Sequence, residues 1–239
     1  KMKKYLSLLI FVFFLSCSIE QDKKTIILSK ASTNYINWLT ALDIIIVNAY
    51  TINNLDSLML IADGIVLTGG EDINPLMYGD SSNLLLCEAM DFRRDSIEKK
   101  LFDYALSEQI PFVGICRGMQ IVNWHLGGIV EDVWNEGFHA ISEGFAGDDS
   151  KNRESIYHLV TSKTDAMRFE VNSRHHQHCS ILAAELSPLL WSEDETIECA
   201  IGRKIMLVQW HPEREEIWDN HWASEWPINW IKTKIKLNI

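Results

Sequence analysis

The stretch Ile110-Pro111-Phe112-Val113 runs directly into Gly114-Ile115-Cys116-Arg117-Gly118-Met119-Gln120. A short apolar run, a tight turn and then helix-compatible sequence leave few architectures open. A buried strand must hand over to a helix through a turn that carries Cys116 at its apex. Such a turn crowds the backbone on itself, and the glycines two residues before and two after Cys116 supply the room. The helix expected over residues 117–126 aims its unpaired N–H groups and positive dipole end at the sulfur, which favours a reactive thiolate. A lone cysteine at a strand end is more often structural. The flanking glycines and the strand-to-helix setting turn the reading toward a nucleophile.

The rest of the chain repeats that alternation. Residues 25–28, 44–47, 64–68 and 111–115 are short and apolar. Between them, residues 32–42, 54–62 and 91–107 have helical spacing, with Ser or Asn near the start of the first two. Alternation of this kind implies an α/β fold: a mostly parallel central sheet flanked by helices, with ligands at the carboxyl ends of the strands. Cys116 falls at such an end, and so does Gly69-Gly70 after residues 64–68. Residues 155–201 have more strand signal and fewer helices. At 239 residues and 47% apolar composition, with no linker-like stretch, one domain over residues 25–239 accounts for the globular part. Residues 143–154, with two glycines and several charges, read as the most mobile loop.

Residues 204–210 form a further strand-like run that ends in His211-Pro212-Glu213. The proline stops the strand and biases His211 toward an extended conformation. An imidazole held there can reach a nucleophile on a neighbouring strand, and Glu213 can turn back to orient it. That is the nucleophile, base and orienter logic of a catalytic triad. His-Pro-Glu alone is a weak signal; with the cysteine elbow it is a strong one.

Five segments carry a resemblance to a known family: Gly69-Gly70-Glu71-Asp72-Ile73-Asn74-Pro75 followed by Tyr78-Gly79, Arg94-Asp95 with Glu98, the elbow through Gln120, residues 171–177 (Val-Asn-Ser-Arg-His-His-Gln), and residues 208–213 (Val-Gln-Trp-His-Pro-Glu). The chain resembles the class I glutamine amidotransferase-like hydrolases, in the γ-glutamyl-γ-aminobutyrate hydrolase branch, from about residue 25 to about residue 231. The resemblance implies a flavodoxin-like fold, Cys116 as nucleophile, His211 as base and Glu213 as its orienter. It implies an oxyanion hole from the backbone N–H groups of Gly70 and Arg117, and Asn172, Ser173 and His175 beside the substrate. Gln120, one helical turn past the nucleophile, would face the same pocket. Arg174 or loop N–H groups are candidates for holding a substrate α-carboxylate. No cofactor is required.

Two other clusters invite stronger readings than they sustain. His175-His176-Gln177-His178-Cys179 crowds metal-ligand types together, but with no regular spacing, and alternate residues of a strand face opposite sides. No metal is expected there. Trp218, Trp222, Trp226 and Trp230 recur every four residues near the C-terminus, where Pro227 is expected to interrupt any helix. Such a stripe is usually packing or an interface.

The N-terminus reads as an export signal. Lys1, Lys3 and Lys4 precede an apolar run from residue 5 to residue 16, shorter than the roughly 20 residues a membrane span needs. Phe14-Leu15-Ser16-Cys17 resembles a bacterial lipoprotein processing site, with cleavage before Cys17 and a short tether over residues 17–24. Lipid on Cys17 would make a membrane surface the partner of an exported protein. Loss of residues 1–16 takes the formal net charge from −11 to −14, which argues against nucleic acid as a partner. Of five cysteines, Cys87, Cys179 and Cys199 have no assigned role, an odd number that leaves at least one free thiol.

The reading is an exported cysteine hydrolase that cleaves a γ-glutamyl amide or isopeptide bond through a γ-glutamyl thioester. Its substrate is a small γ-glutamyl amide or peptide. The same triad would serve the glutaminase half of an ammonia-channelling synthase, against which the expected export away from cytosolic partners argues. A lipid-tethered binding protein on an inactive enzyme scaffold is the reading from a different class.

Overall fold

The computed structural model describes residues 23–78, 87, 89–132, 139, 156–215 and 221–237. The leader, Cys17, Gly79, Trp218 and the loop expected over residues 143–154 lie outside them. No helix among the described residues is long and apolar enough to cross a membrane.

The expected alternation produces the expected elements. Strands β1 (Thr25–Leu28), β2 (Ile45–Asn48), β3 (Gly64–Leu67) and β4 (Phe112–Ile115) alternate with helices α1 (Thr33–Leu39), α2 (Leu55–Met59) and α3 (Phe92–Glu108). The Asn54 and Asp91 side chains accept the N–H groups of Ser57 and Arg94, capping α2 and α3. Helix α4 (Arg117–His125) follows β4 directly, and β5 (Ile129–Asp132) follows it. Strands β6 (Ile156–Thr161), β7 (Arg168–Ser173), β8 (Gln177–Ile181), β9 (Ser187–Ser192), β10 (Ile197–Gly202) and β11 (Ile205–Val208) then run almost without helix. Helix α5 (His221–Lys234) comes last.

Nine strands form one sheet in the order β2-β1-β3-β4-β11-β10-β9-β6-β7. From β2 to β11 the neighbours are parallel; from β11 outward they are antiparallel. The later, helix-poor half of the sequence is that antiparallel extension. Strands β5 and β8 pair separately, and the Asn123 amide on α4 donates to the carbonyls of Ile129 and Ile181, tying the pair to the helix.

Successive strand residues face opposite sides, so the sheet has two apolar layers. Val66, Val113, Trp210 and Ile231 share one with Trp38 and Leu39 of α1. Ile65, Leu67 and Phe112 share the other with Leu101 and Phe102 of α3 and Met119 of α4.

Pro227 overturns one expectation, because it lies inside α5 rather than ending it. A proline has no N–H for the carbonyl one turn back, which here belongs to Ala223. The Trp210 indole N–H donates to that carbonyl at 2.8 Å, and the Trp38 indole donates to the next, Ser224, at 3.0 Å. Two tryptophans from distant elements thus supply what the helix lacks. Trp226 stacks on Trp210 at 6.5 Å between ring centroids, while Trp222 is exposed. The tryptophan repeat is mainly packing.

Candidate active site

Three neighbouring strand ends bring the candidate residues together. Strand β3 runs into Gly69-Gly70, β4 ends at Cys116, and β11 leads to His211; Leu67 pairs with Gly114, and Val208 with Ile115. The Cys116 N–H donates to the Val208 carbonyl at 2.8 Å, locking the elbow to β11. Cys116 adopts φ 50°, ψ −108°, a region a non-glycine residue occupies at a cost of order 1–3 kcal/mol. Its glycine neighbours make the turn possible. A Cβ at Gly118 would run into the Leu67 carbonyl, and one at Gly114 into the Gly118 carbonyl.

Pro212 begins a single 3₁₀ turn that swings Glu213 back under the imidazole. His211 Nδ1 lies 2.8 Å from Glu213 Oε1. A carboxylate only accepts, so Nδ1 carries the proton and Nε2 is left for the hydrogen bond to Cys116. Burial opposes a charge on His211, but the Glu213 carboxylate and the Cys116 sulfur outweigh it and raise its pKa to about 9. Burial likewise opposes charge on Glu213, and the His211 cation overcomes it, holding the carboxyl below its ordinary value.

Sequence reasoning missed three supports of this pair. The Tyr35 hydroxyl accepts the Gly69 N–H at 2.7 Å and faces Glu213; burial, then the Glu213 charge, keep it a phenol. Asn172 accepts the His211 N–H at 3.0 Å and donates to the His211 carbonyl at 2.7 Å. It also donates to Glu215, whose pKa burial raises to about 7. The local sequence marks none of these roles, because the partners lie about 35–45 residues apart in the chain.

Arg94, almost fully buried on α3, reaches under the glycine loop. It donates to the Thr68 carbonyl at 2.5 Å and the Gly69 carbonyl at 2.8 Å, and pairs with Glu71 and Glu98. In a trans peptide the carbonyl and the following N–H point opposite ways. Holding the Gly69 carbonyl therefore turns the Gly70 N–H away from the guanidinium. Gly70 sits at φ 143°, where a side chain would also strike Arg94. The buried Arg117 side chain pairs with Asp95 and Glu98, while its N–H is the first of α4 and has no partner within the helix.

The residues expected beside the substrate all have partners within the protein. Asn172 spends its amide on His211 and Glu215. Ser173 is buried with its hydroxyl donating to the His139 carbonyl at 2.8 Å, and His175 is buried beside Glu198. Gln120 donates to the Gln177 carbonyl at 2.9 Å. Each of the four is thus hydrogen-bonded or paired within the protein, and Arg174 beside them is partly exposed. Cys87, Cys116, Cys179 and Cys199 are all free thiols.

A cysteine elbow and a His-Glu pair on adjacent strand ends of this sheet define a class, the class I glutamine amidotransferase-like α/β proteins. Within it, residues 15–213 match the peptidase C26 family, and the chain belongs to that family. It is 36% identical over 162 residues to a glutamine amidotransferase-like protein of Schizosaccharomyces pombe, covering 63% of this chain and 62% of that protein. The chain thus spans about three fifths of that relative's length. It is 27% identical over 173 residues to the γ-glutamyl-γ-aminobutyrate hydrolase of Escherichia coli O157:H7, covering 66% and 67%. The crystal structure of a glutamine amidotransferase from Thermotoga maritima shares the fold, with a TM-score of 0.57 at 16% identity, covering 90% of this chain and 86% of that one.

Proposed function

We propose that this chain is a cysteine hydrolase that releases amines from γ-glutamyl amides. The observation that carries the reading is the His211–Glu213 pair beside a strained Cys116 elbow. His211 Nε2 takes the Cys116 thiol proton, and the sulfur attacks the γ-carbonyl carbon and forms the C–S bond. His211 gives its Nε2 proton to the amine nitrogen as the C–N bond breaks. His211 then takes a proton from water, whose oxygen attacks the thioester; the C–S bond breaks and glutamate leaves. The Gly70 and Arg117 N–H groups hold the oxyanion in both steps, and one such donor is typically worth about 10²–10³ in turnover. Arg94 keeps the Gly70 donor aimed.

Membership of the peptidase C26 family, and a relative named as a γ-glutamyl-γ-aminobutyrate hydrolase, support the glutamyl half of the substrate. Amine release by the purified protein across a panel of γ-glutamyl amides, beside Cys116→Ala, tests the reading. Release from one or a few amides, abolished in the variant, is expected. Silence across the panel together with no labelling of Cys116 by a thiol probe would sink it.

We also propose export with lipid on Cys17, supported by the basic and apolar leader. Labelling with a radioactive fatty acid in a bacterial host should be lost in Cys17→Ala; retention of label would refute it.

A further inference from the structure

Away from Cys116, three imidazoles converge on one buried carboxylate. Glu198 on β10 is fully buried, as is His139, while His158 on β6 and His175 are nearly so. From Glu198 Oε1 the distances are 3.2 Å to His158 Nε2, 3.4 Å to His175 Nε2 and 3.7 Å to His139 Nδ1. Ligand atoms of His139, His158 and Glu198 all lie within 4.8 Å of one another. Two donors on a tetrahedral zinc are separated by about 3.3 Å, given metal–ligand bonds of about 2.0–2.1 Å.

The far sides of two rings fix which nitrogen faces the carboxylate. His139 Nε2 lies 2.8 Å from Asp194 Oδ2, which turns Nδ1 toward Glu198, with the Ser173 hydroxyl 3.4 Å from the same nitrogen. His175 Nδ1 donates to the Gln177 carbonyl at 3.0 Å, which leaves Nε2 in the same position. Ring nitrogens gathered on a buried carboxylate call for positive charge among them, which a proton or a metal ion can supply. A carboxylate or a carbonyl on the remote ring nitrogen is also how metal-bound histidines are held.

We propose that His139 Nδ1, His158 Nε2 and Glu198 bind one divalent transition-metal ion of the zinc type, with His175 Nε2 the nearest further donor. Burial of all four makes it a closed, structural site rather than a catalytic one. The ion would fasten β6 and β10 to the stretch that follows β7. The Gln177 carbonyl, which accepts from both His175 and Gln120, passes that restraint to the nucleophile's helix. The contiguous histidine cluster does not itself assemble: His176 turns instead to Asp72, at 3.0 Å.

The test is a cobalt(II) titration of the metal-stripped full chain, read by visible d–d absorption, metal stoichiometry and melting temperature. One equivalent should bind with the bands of a four-coordinate ion and raise the melting temperature. His158→Gln and Glu198→Gln should each lose the bands and the rise, while His176→Asn and Cys116→Ala keep both. The wild-type titration decides the matter even where a cluster variant does not fold. No uptake near one equivalent by folded wild type overturns the proposal, as does uptake that persists in both cluster variants.

Discussion

Replacing Glu213 by Gln removes one charge and almost no volume, so it isolates what the carboxylate does for His211. The His211 pKa stands at about 9 against an ordinary 6.5. At about 1.4 kcal/mol for each pH unit, that gap is worth roughly 3 kcal/mol to the folded state, with no discount for solvent because the ring is buried. Burial disfavours the cation and only the Cys116 sulfur is left to favour it, so in Glu213→Gln the imidazole should titrate well below about 9. The sign for stability follows. A raised pKa contributes fully below about pH 6.5, and the contribution disappears as pH rises through about 9. Raising the pH from 6 to 10 should therefore cost the wild type more stability in urea unfolding than it costs the variant, by up to roughly 3 kcal/mol. NMR titration of the His211 ring gives the same answer independently, and a Cys116→Ala background measures the sulfur's share. Turnover of a γ-glutamyl amide should fall about 10²-fold or more, since orientation and charge are lost together. Were His211 still to titrate near 9 in Glu213→Gln, with parallel stability profiles, the assignment of Glu213 as its partner would be refuted.

Arg94→Lys keeps a charge but loses the planar fork that holds the Thr68 and Gly69 carbonyls. Steady-state kinetics should show kcat lowered about 10- to 100-fold with KM little changed; an equal change in both would refute a role in aiming the Gly70 N–H. Asn172→Ala frees both backbone groups of His211. It should cost about 1–3 kcal/mol in urea unfolding, and a stability equal to wild type would count against the bracing role. Trp210→Phe strands the Ala223 carbonyl at a cost of about 1–3 kcal/mol. In a Pro227→Ala background the restored backbone N–H should take over that carbonyl and shrink the loss, which a double-mutant cycle measures.

Locally encoded features were readable. The elbow needs a strand, two glycines and a helix start in nine residues, and His211 needs a strand stopped by proline; each is a short-range constraint, and both fall where expected. Asn54 and Asp91 cap their helices for the same local reason. What escaped was the direction and destination of side chains. Asn172, Ser173 and His175 stand in a motif visible in the sequence, yet their partners are Glu215, His139 and Glu198, brought near only by the antiparallel extension. Pro227 misleads for the same reason. A helix read alone stops there, but the carbonyl it orphans is served by the Trp210 indole just past β11, and the next carbonyl by Trp38 of α1, 186 residues from it in the chain.

The charges beneath the loop explain why so polar a layer is buried here. Arg94 and Arg117 are both almost fully buried, and so are Asp95 and Glu98, so two cations face two anions before Glu71 and Lys30 close the edge. Such a cluster is weak evidence for stability, because desolvation offsets much of its attraction. Burial, then the neighbouring Arg94, lower the Arg117 pKa to about 9, and burial raises that of Asp95. Its value lies in direction. One guanidinium holds the carbonyls ahead of Gly70, and the other draws the Arg117 side chain away from the strand ends while its N–H stays at the start of α4. Two separate backbone donors are thereby fixed by one rigid layer of charge, and removing any single member leaves its partner uncompensated. An apolar layer of equal volume would pack as well, but it would leave the Gly69-Gly70 peptide free to rotate.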